Sequence, residues 1–268
     1  MVSQLAKNVF DLLKDDLLSG GDIDNEKLNK SLRLLGKWRS VLIQNTLLTK
    51  EGTILSRGPF SGMDFLENSA EGCHVAKLIG TYEQPLHRHI DLVTKMPYKK
   101  VINVGCAEGY YAIGFALRMR NSEILAYDIN KKAQDACMKL AEKNNVAGRV
   151  RVFGELGSKD LTEQLLDNAM IFCDIEGAEI GLLDPTKAPA LKFTDIIVES
   201  HECLVPGITE MLKTRFKETH NIIEVKDDGM RKIENPPDWF LGFSHLDQLL
   251  ATWEWRSGPT PWLVMTKK

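Results

Sequence analysis

Six ionisable side chains follow two successive apolar runs of the chain, at the positions where buried strands would end. They are Asp174, Glu176 and Glu179 after the run 169–173, and Glu199, His201 and Glu202 after the run 194–198. Open parallel α/β sheets bind ligands beyond the carboxyl ends of their strands, so these groups should converge on one ligand. The sequence therefore predicts an acid–base or metal site at this edge of a sheet.

His201 supports two kinds of chemistry. The ordinary pKa of an imidazole, about 6.5, would let His201 act as the general base that removes a proton from a hydroxyl. Alternatively, Asp174, Glu199 and His201 would bind a divalent ion such as Mg²⁺, because such an ion takes oxygen and imidazole ligands and lowers the pKa of a bound hydroxyl. A purely structural hydrogen bond of His201, and capping of the next helix by Glu176 and Glu179, are the non-catalytic alternatives.

A strand, a glycine turn and a helix N-terminus follow one another between residues 100 and 119. The run 101–104 has the apolar character expected of a strand that is buried on both faces. Gly105 permits a sharp turn, and Gly109 permits close approach of a ligand or a neighbouring backbone. The first amides of the helix 111–119 are then free to bind a ligand held in the turn.

The spacing of this turn argues against a nicotinamide or flavin dinucleotide. A G-x-G-x-x-G fingerprint would need glycines where this chain has Gly105, Ala107 and Tyr110, and the tyrosine is too bulky for the third position. A P-loop is excluded because no Gly-Lys-Ser/Thr follows. The pattern present is G-x-A-x-G, and Asp128 ends the next strand, where a carboxylate can accept the hydroxyls of a ribose.

Three segments carry a resemblance to a known family. They are Val-Ile-Asn-Val-Gly-Cys-Ala-Glu-Gly-Tyr-Tyr at 101–111, Tyr-Asp-Ile at 127–129 and Phe-Cys-Asp-Ile-Glu-Gly-Ala-Glu at 172–179. They resemble the successive motifs of S-adenosylmethionine-dependent methyltransferases of the FkbM type, and the Asp-Ile-Glu-Gly-Ala-Glu hexapeptide is the most specific of them. The segments 80–83 and 254–262 are also similar to that group, so the resemblance covers roughly residues 80 to 268.

The resemblance implies a particular S-adenosylmethionine site. Its residues are Tyr82, Asn103, Gly105, Cys106, Ala107, Glu108, Gly109, Tyr110, Asp128, Ile129, Gly154, Glu155 and Asp174. In such enzymes the loop at 154–155 meets the adenine. Asn103 departs from the family pattern, which has Asp or Glu there, and an amide offers no charge to the cofactor's ammonium group. Catechol-type and macrolide-sugar O-methyltransferases place acidic metal ligands at the ends of the same two strands, so Asp174, Glu199 and His201 are the expected metal ligands by that comparison.

The alternation of strands and helices after residue 96 predicts a Rossmann-like, doubly wound, mostly parallel sheet of seven strands. The last two strands resemble the antiparallel ending of the class I methyltransferase fold. We expect residues 96–268 to form the cofactor-binding domain and residues 1–95 a helical extension. That extension should contain a helix over 2–18, ended by Gly20 and Gly21, a second helix from Asp24 or Asn25 to about Leu42, and a short hairpin around 49–53. It would serve as a cap on the sheet, a lid, or the arm of a homodimer.

Composition narrows the functional class. The formal charge of −3 gives no basic stripe for nucleic acid. Five scattered cysteines without a C-x-x-C pair are typical of reduced thiols, so the expected location is the cytoplasm. The N-terminus does not resemble a signal peptide, and no apolar run approaches the roughly 20 residues needed to span a membrane.

The sequence therefore predicts S-adenosylmethionine-dependent O-methylation of a small-molecule or sugar hydroxyl, with or without a divalent metal. The alternatives are methylation of a nitrogen or a carboxylate, and a regulatory protein that binds S-adenosylmethionine without turnover. A nicotinamide oxidoreductase is disfavoured by Tyr110.

Overall fold

Seven strands form one sheet in the part of the chain that the computed structural model describes, residues 3–18, 24–67 and 73–268. The strands are β1 (Lys100–Val104), β2 (Glu123–Tyr127), β3 (Val150–Phe153), β4 (Ala169–Cys173), β5 (Asp195–Glu199), β6 (His220–Val225) and β7 (Trp262–Lys267). Their spatial order is β3-β2-β1-β4-β5-β7-β6, and β7 runs in the opposite direction to the other six strands. The predicted Rossmann-like, mostly parallel sheet and its antiparallel ending are confirmed.

Some helices precede the first strand in the chain, and the others connect the strands. They are α1 (Gln4–Leu18), α2 (Asn25–Glu51), α3 (His74–Ile79), α4 (His87–Val93), α5 (Tyr110–Arg118), α6 (Lys131–Lys143), α7 (Glu163–Leu166), α8 (Glu179–Leu182), α9 (Ile208–Phe216), α10 (Asp238–Leu241) and α11 (His245–Thr252). Alternate side chains of β4 enter two different hydrophobic clusters, with Phe172 in one and Ile171 in the other. Successive strand residues point to opposite faces, so β4 is buried on both, as its apolar sequence predicts.

The helical extension differs from the sequence prediction in one respect. Asp24 caps α2 by accepting a hydrogen bond from the amide of Lys27, as expected, but the helix continues to Glu51 and leaves no hairpin at 49–53. The apolar face extends further than predicted, because Ile43 and Leu47 are both buried. A single bridge between Ile54 and Asp64 is the pairing found nearby. Residues 20 and 21, predicted to end α1, lie outside the described residues.

The extension is tied to the end of the chain. Arg39 of α2 binds Asp247 of α11 through two hydrogen bonds of 2.6 and 2.7 Å, and the hydroxyl of Ser40 donates to the Leu250 carbonyl at 3.2 Å. The hydrophobic cluster that contains Phe172 also contains Ile43 and Leu47 of α2. The extension therefore shares a core with the sheet, and the boundary near residue 95 stays a prediction.

A second correction concerns residues 159–167, where the sequence predicts one helix. The chain instead makes a 3₁₀ turn at Ser158–Asp160 and then the short helix α7, which begins when the Thr162 hydroxyl accepts from the amide of Leu165. Separately, no helix among the described residues is long and apolar enough to cross a membrane.

Candidate active site

A cavity of about 1000 Å³ lies beyond the carboxyl ends of the five parallel strands β1 to β5. This is the edge at which open α/β sheets bind ligands, and the volume is at the upper end of the usual range for ligand pockets. Ten predicted site residues contribute to its wall. They are Tyr82, Gly105, Ala107, Asp128, Ile129, Gly154, Glu155, Asp174, Glu199 and His201.

The turn after β1 has no room for a side chain. Gly105 has φ +77°, and a Cβ there would lie 1.6 Å from the carbonyl oxygen of Asp174. The amides of Gly105 and Cys106 both donate to the Tyr127 carbonyl, at 2.9 and 3.0 Å. The turn therefore joins the ends of β1, β2 and β4, and the segment expected to meet the cofactor is in backbone contact with the acidic site.

Asp128 is fixed at the cavity wall by two amides. Its Oδ2 accepts from the amide of Ala107 at 2.9 Å, and its Oδ1 accepts from the amide of Asn130 at 2.8 Å. A carboxylate oxygen can accept more than one hydrogen bond, so both oxygens retain capacity for a ligand hydroxyl. The geometry suits the predicted contact with a ribose.

The side chains of Asn103 and Glu108, predicted as cofactor contacts, do not reach this cavity. Asn103 is 1 % exposed, and its amide nitrogen lies 3.4 Å from the Phe172 carbonyl within the sheet. Glu108 is fully buried and forms an ion pair with Lys77. Both side chains lie in the packed interior, and the predicted cofactor contacts at these two positions stay predictions.

Three further predicted contacts, Cys106, Gly109 and Tyr110, also lie outside the cavity wall. Gly109 has φ +98°, and a Cβ there would lie 2.8 Å from the sulfur of Cys137, so this glycine admits the neighbouring helix α6 rather than a ligand. Cys106 is buried, and Tyr110 packs edge-on against Phe60 in an aromatic cluster. All three residues contribute to packing, and their predicted contacts with the cofactor stay predictions.

Asp174, Glu199 and His201 lie together at the cavity. One ligand atom from each falls within 4.8 Å of the others, and the Nε2 atom of His201 is 3.5 Å from Asp174 Oδ1 and 3.5 Å from Glu199 Oε2. The side chains of Glu199 and His201 are 5 % and 8 % exposed, whereas that of Asp174 is 26 % exposed. Two buried ligands and one more open to the cavity can hold a divalent ion that a substrate can still reach.

Glu179 holds the other side of the His201 ring. Its Oε1 lies 2.7 Å from Nδ1 and also accepts from the amides of Ile175 and Gly177. These contacts lower the pKa of Glu179 although burial opposes it, so the ionised carboxylate accepts and Nδ1 must donate. Burial alone would lower the pKa of His201, but Glu179 and Glu199 raise it above the ordinary value. Glu179 thus orients His201, with Nε2 towards the acidic pair, whereas the helix cap predicted for it is not formed, because α8 has no side-chain cap hydrogen bond.

Arg256 joins four carboxylates from distant parts of the chain. It forms ion pairs with Glu83 and Glu199, and its Nε lies 3.2 Å from both Asp227 and Glu254. The pKa of Glu83 is raised, chiefly by burial, although Arg256 opposes the shift. Arg256 therefore neutralises one oxygen of Glu199 and leaves the other, Oε2, facing His201.

The cavity is short of positive charge. Its wall contains six carboxylates, Asp128, Glu155, Asp174, Glu176, Glu199 and Glu254, and three cations, Lys37, Lys77 and Arg256. Burial and then the neighbouring Glu199 raise the pKa of Asp174 well above the ordinary value, so a bound cation would favour the ionised form of this carboxyl. The site has the electrostatic character of a binding site for cationic ligands.

Sequence reasoning missed Arg256 and Lys37 as parts of the site, and it placed Glu179 at this edge of the sheet without its contact to His201. Arg256 lies in the segment 254–262, which carries part of the family resemblance, and that was the available signal. Lys37 belongs to α2 and gave none, because nothing in its sequence neighbourhood indicates a ligand. Glu202, predicted beside His201, instead caps α9 by accepting from the amides of Gly207 and Thr209.

No protein-family model matches the chain, and no curated protein matches it in sequence. Among solved structures, it is similar to an O-methyltransferase from Bacillus cereus in complex with SAH, at 14% identity and TM-score 0.41, over 100% of this chain and 92% of that one. It is also similar to the O-methyltransferase TomG from Streptomyces achromogenes, involved in tomaymycin synthesis, in complex with SAM (13% identity, TM-score 0.42, 99% and 100% covered). A third is the human methyltransferase 10 domain containing protein (12% identity, TM-score 0.46, 86% and 96% covered). At these levels of sequence identity and structural similarity, the function has to be argued from the chain's own residues.

Proposed function

We propose that the protein is an S-adenosylmethionine-dependent methyltransferase that methylates a hydroxyl of a small molecule or sugar, with a divalent ion such as Mg²⁺ bound by Asp174, Glu199 and His201. The observation that supports it is the approach of these three side chains, with ligand atoms within 4.8 Å of one another, in the same cavity as the turn at Gly105. Cofactor, metal and acceptor would then meet at one edge of the sheet.

The wall of the cavity fits S-adenosylmethionine in size and charge. Asp128 has free acceptor capacity for the ribose, and Gly154, which has no atom within 4 Å of its would-be Cβ, leaves open space where the adenine is expected. The excess of carboxylates suits a ligand that carries a sulfonium and an ammonium group. S-adenosylmethionine supplies the methyl group, which is displaced in line from the sulfonium.

The donors of Asp174, Glu199 and His201 fit a divalent ion. Two carboxylates and an imidazole are ordinary ligands, and a carboxylate on the far ring nitrogen, here Glu179, commonly orients a ligating histidine. The raised pKa values of Asp174 and His201 mark two protons that a cation would replace. A bound divalent ion would lower the pKa of the acceptor hydroxyl.

The residues of this chain would divide the work as follows. Asp174 and Glu199 would hold the divalent ion close to the reacting hydroxyl, and Glu179 keeps the Nε2 atom of His201 directed at these two carboxylates. Arg256 keeps Glu199 in place through its second oxygen. Tyr82, which lines the cavity and stands edge-on to the buried Tyr110, would help to exclude water from the transferred methyl.

A general-base role for His201 is the second candidate, and the 2.7 Å contact with Glu179 favours it, because a carboxylate on Nδ1 is how a catalytic histidine is commonly oriented. The raised pKa of His201 weakens this role, since a larger fraction of the imidazole is already protonated near neutral pH. We therefore favour the metal-ligand role.

The test is calorimetric titration with S-adenosylhomocysteine, with and without Mg²⁺, and with NADH as the comparison ligand. We expect saturable binding of S-adenosylhomocysteine and none of NADH; the reverse result would refute the proposal. Mn²⁺, followed by electron paramagnetic resonance, should bind the wild-type protein and lose at least about tenfold in affinity in Asp174→Asn. The matched control is Glu163→Gln, an exposed carboxylate of α7. If both variants bind Mn²⁺ with the same affinity, the proposed metal site is wrong, and the general-base role of His201 is then the favoured one.

A further inference from the structure

The helical extension contributes a wall of the cavity through α2. Arg33 and Lys37 are four residues apart and share a face of this helix. The guanidinium of Arg33 donates to the carbonyl of Trp255 at 2.8 Å and to that of Arg256 at 3.1 Å. Lys37, one turn later, lines the cavity. The position of Lys37 is thus fixed by a direct connection between α2 and the segment that carries Arg256.

Lys37 differs from the other cations of the cavity wall. Lys77 is paired with Glu108, and Arg256 is paired with several carboxylates. Lys37 makes no salt bridge with any carboxylate in residues 3–18, 24–67 and 73–268, and its ammonium lies 5.0 Å from the centre of the Trp255 ring. Its charge is therefore available to a ligand in the cavity.

Trp255, beside Lys37, has a strained backbone conformation and an unsatisfied indole N–H. Its φ is +64°, a conformation that bulky side chains rarely adopt, and its indole N–H is buried without an acceptor among the described residues. Both features cost free energy, and strained backbone of this kind is concentrated at ligand sites. An anionic oxygen of a ligand in the cavity would pair with the ammonium of Lys37 beside this strained residue.

We infer that the acceptor carries an anionic group, a carboxylate or a phosphate, which Lys37 binds beside the Trp255 ring while the hydroxyl to be methylated lies at Asp174, Glu199 and His201. This inference rests on the proposed function. The other cations of the cavity wall, Lys77 and Arg256, are paired with carboxylates, so Lys37 would both attract the acceptor and fix which end of it faces the sheet. A neutral or cationic acceptor would leave the Lys37 charge unused.

Binding of matched probe pairs to the protein saturated with S-adenosylhomocysteine tests the inference. The pairs are 3,4-dihydroxybenzoate with catechol, and glucose 6-phosphate with glucose, so that one pair reports on a carboxylate and the other on a phosphate. Four proteins are compared by calorimetry: wild type, Lys37→Met, Lys37→Arg, and the control Lys50→Met, an exposed lysine of the same helix. Methionine keeps an unbranched side chain over the Trp255 ring, so it removes the charge with little loss of packing.

In the wild type, we expect the anionic member of at least one pair to bind about tenfold more tightly than its neutral partner. Lys37→Met should abolish that preference, whereas Lys37→Arg and Lys50→Met should keep it. The inference is overturned if neither anionic probe is preferred in the wild type, or if Lys37→Met leaves the preference intact. Absence of S-adenosylhomocysteine binding in the first titration would instead count against the proposed function, so the two failures are distinguishable.

Discussion

Replacing Gly105 by alanine should damage both the fold and the site. The φ of +77° costs an alanine about 1 to 2 kcal/mol relative to glycine. The added Cβ would also lie 1.6 Å from the Asp174 carbonyl oxygen, which belongs to backbone and not to a flexible side chain. The amide of Asp174 is itself tied to Val104 at 2.9 Å, so relief requires β1 and β4 to separate. Overpacking of this kind adds about 1 to 3 kcal/mol.

We therefore expect Gly105→Ala to lose about 2 to 5 kcal/mol of unfolding free energy, a large part of the roughly 5 to 15 kcal/mol of a typical domain. Urea denaturation followed by circular dichroism measures the loss, and Gly148→Ala is the control, because no atom lies within 4 Å of its would-be Cβ. Where Gly105→Ala still folds, it should also bind S-adenosylhomocysteine less tightly. A loss of less than about 1 kcal/mol, or one equal to that of the control, would refute the reasoning.

Three further predictions concern charge. Glu179→Gln should lower the pKa of His201, because it removes the charge that stabilises the imidazolium, and titration of the histidine NMR signals would show it; an unchanged pKa would contradict the 2.7 Å contact. Asp128→Ala should weaken S-adenosylhomocysteine binding by about 1 to 3 kcal/mol in calorimetry, and unaltered affinity would remove Asp128 from the ribose. Without divalent metal, the raised pKa of Asp174 means that its carboxyl holds a proton in the folded chain that the unfolded chain has released above about pH 4, so its contribution to the unfolding free energy is lost as pH rises through the folded pKa. Urea denaturation at several pH values should therefore show that the unfolding free energy of the metal-free wild type falls relative to that of Asp174→Asn as pH rises from about 4, and that added Mg²⁺ reduces this difference; identical pH profiles of the two proteins without metal would contradict it.

The sheet was predictable because its signals are local. Each parallel strand is a short apolar run followed by a helix with a clear apolar face, and that alternation leaves few possible arrangements. The meeting of Asp174, Glu199 and His201 followed from the same rule, since the carboxyl ends of adjacent parallel strands share one edge. The pairing of β4 with β5 places them there.

Other features depend on contacts that sequence patterns do not contain. The end of α2 was misplaced because its apolar face continues past residue 42, where Ile43 and Leu47 enter the core. From the sequence, Gly109 could make room for a ligand or for a neighbouring helix. The sulfur of Cys137, 2.8 Å from the would-be Cβ of Gly109, shows that it makes room for α6. The partner of Glu108 is Lys77, 31 residues earlier, and nothing near either residue indicates the pair.

The ion pairs around Arg256 determine when, during synthesis and folding, the acidic site can be completed. Glu83 lies 173 residues from Arg256 and 179 from Trp262, whose indole N–H donates to it at 2.7 Å. Contacts between such distant residues must overcome a larger loop-closure entropy, and they tend to form late in folding. Until Arg256 arrives, Glu83 and Glu199 would face each other without their shared cation. The acidic centre can therefore reach its final form only after synthesis has passed residue 262 and the last strand has joined the sheet.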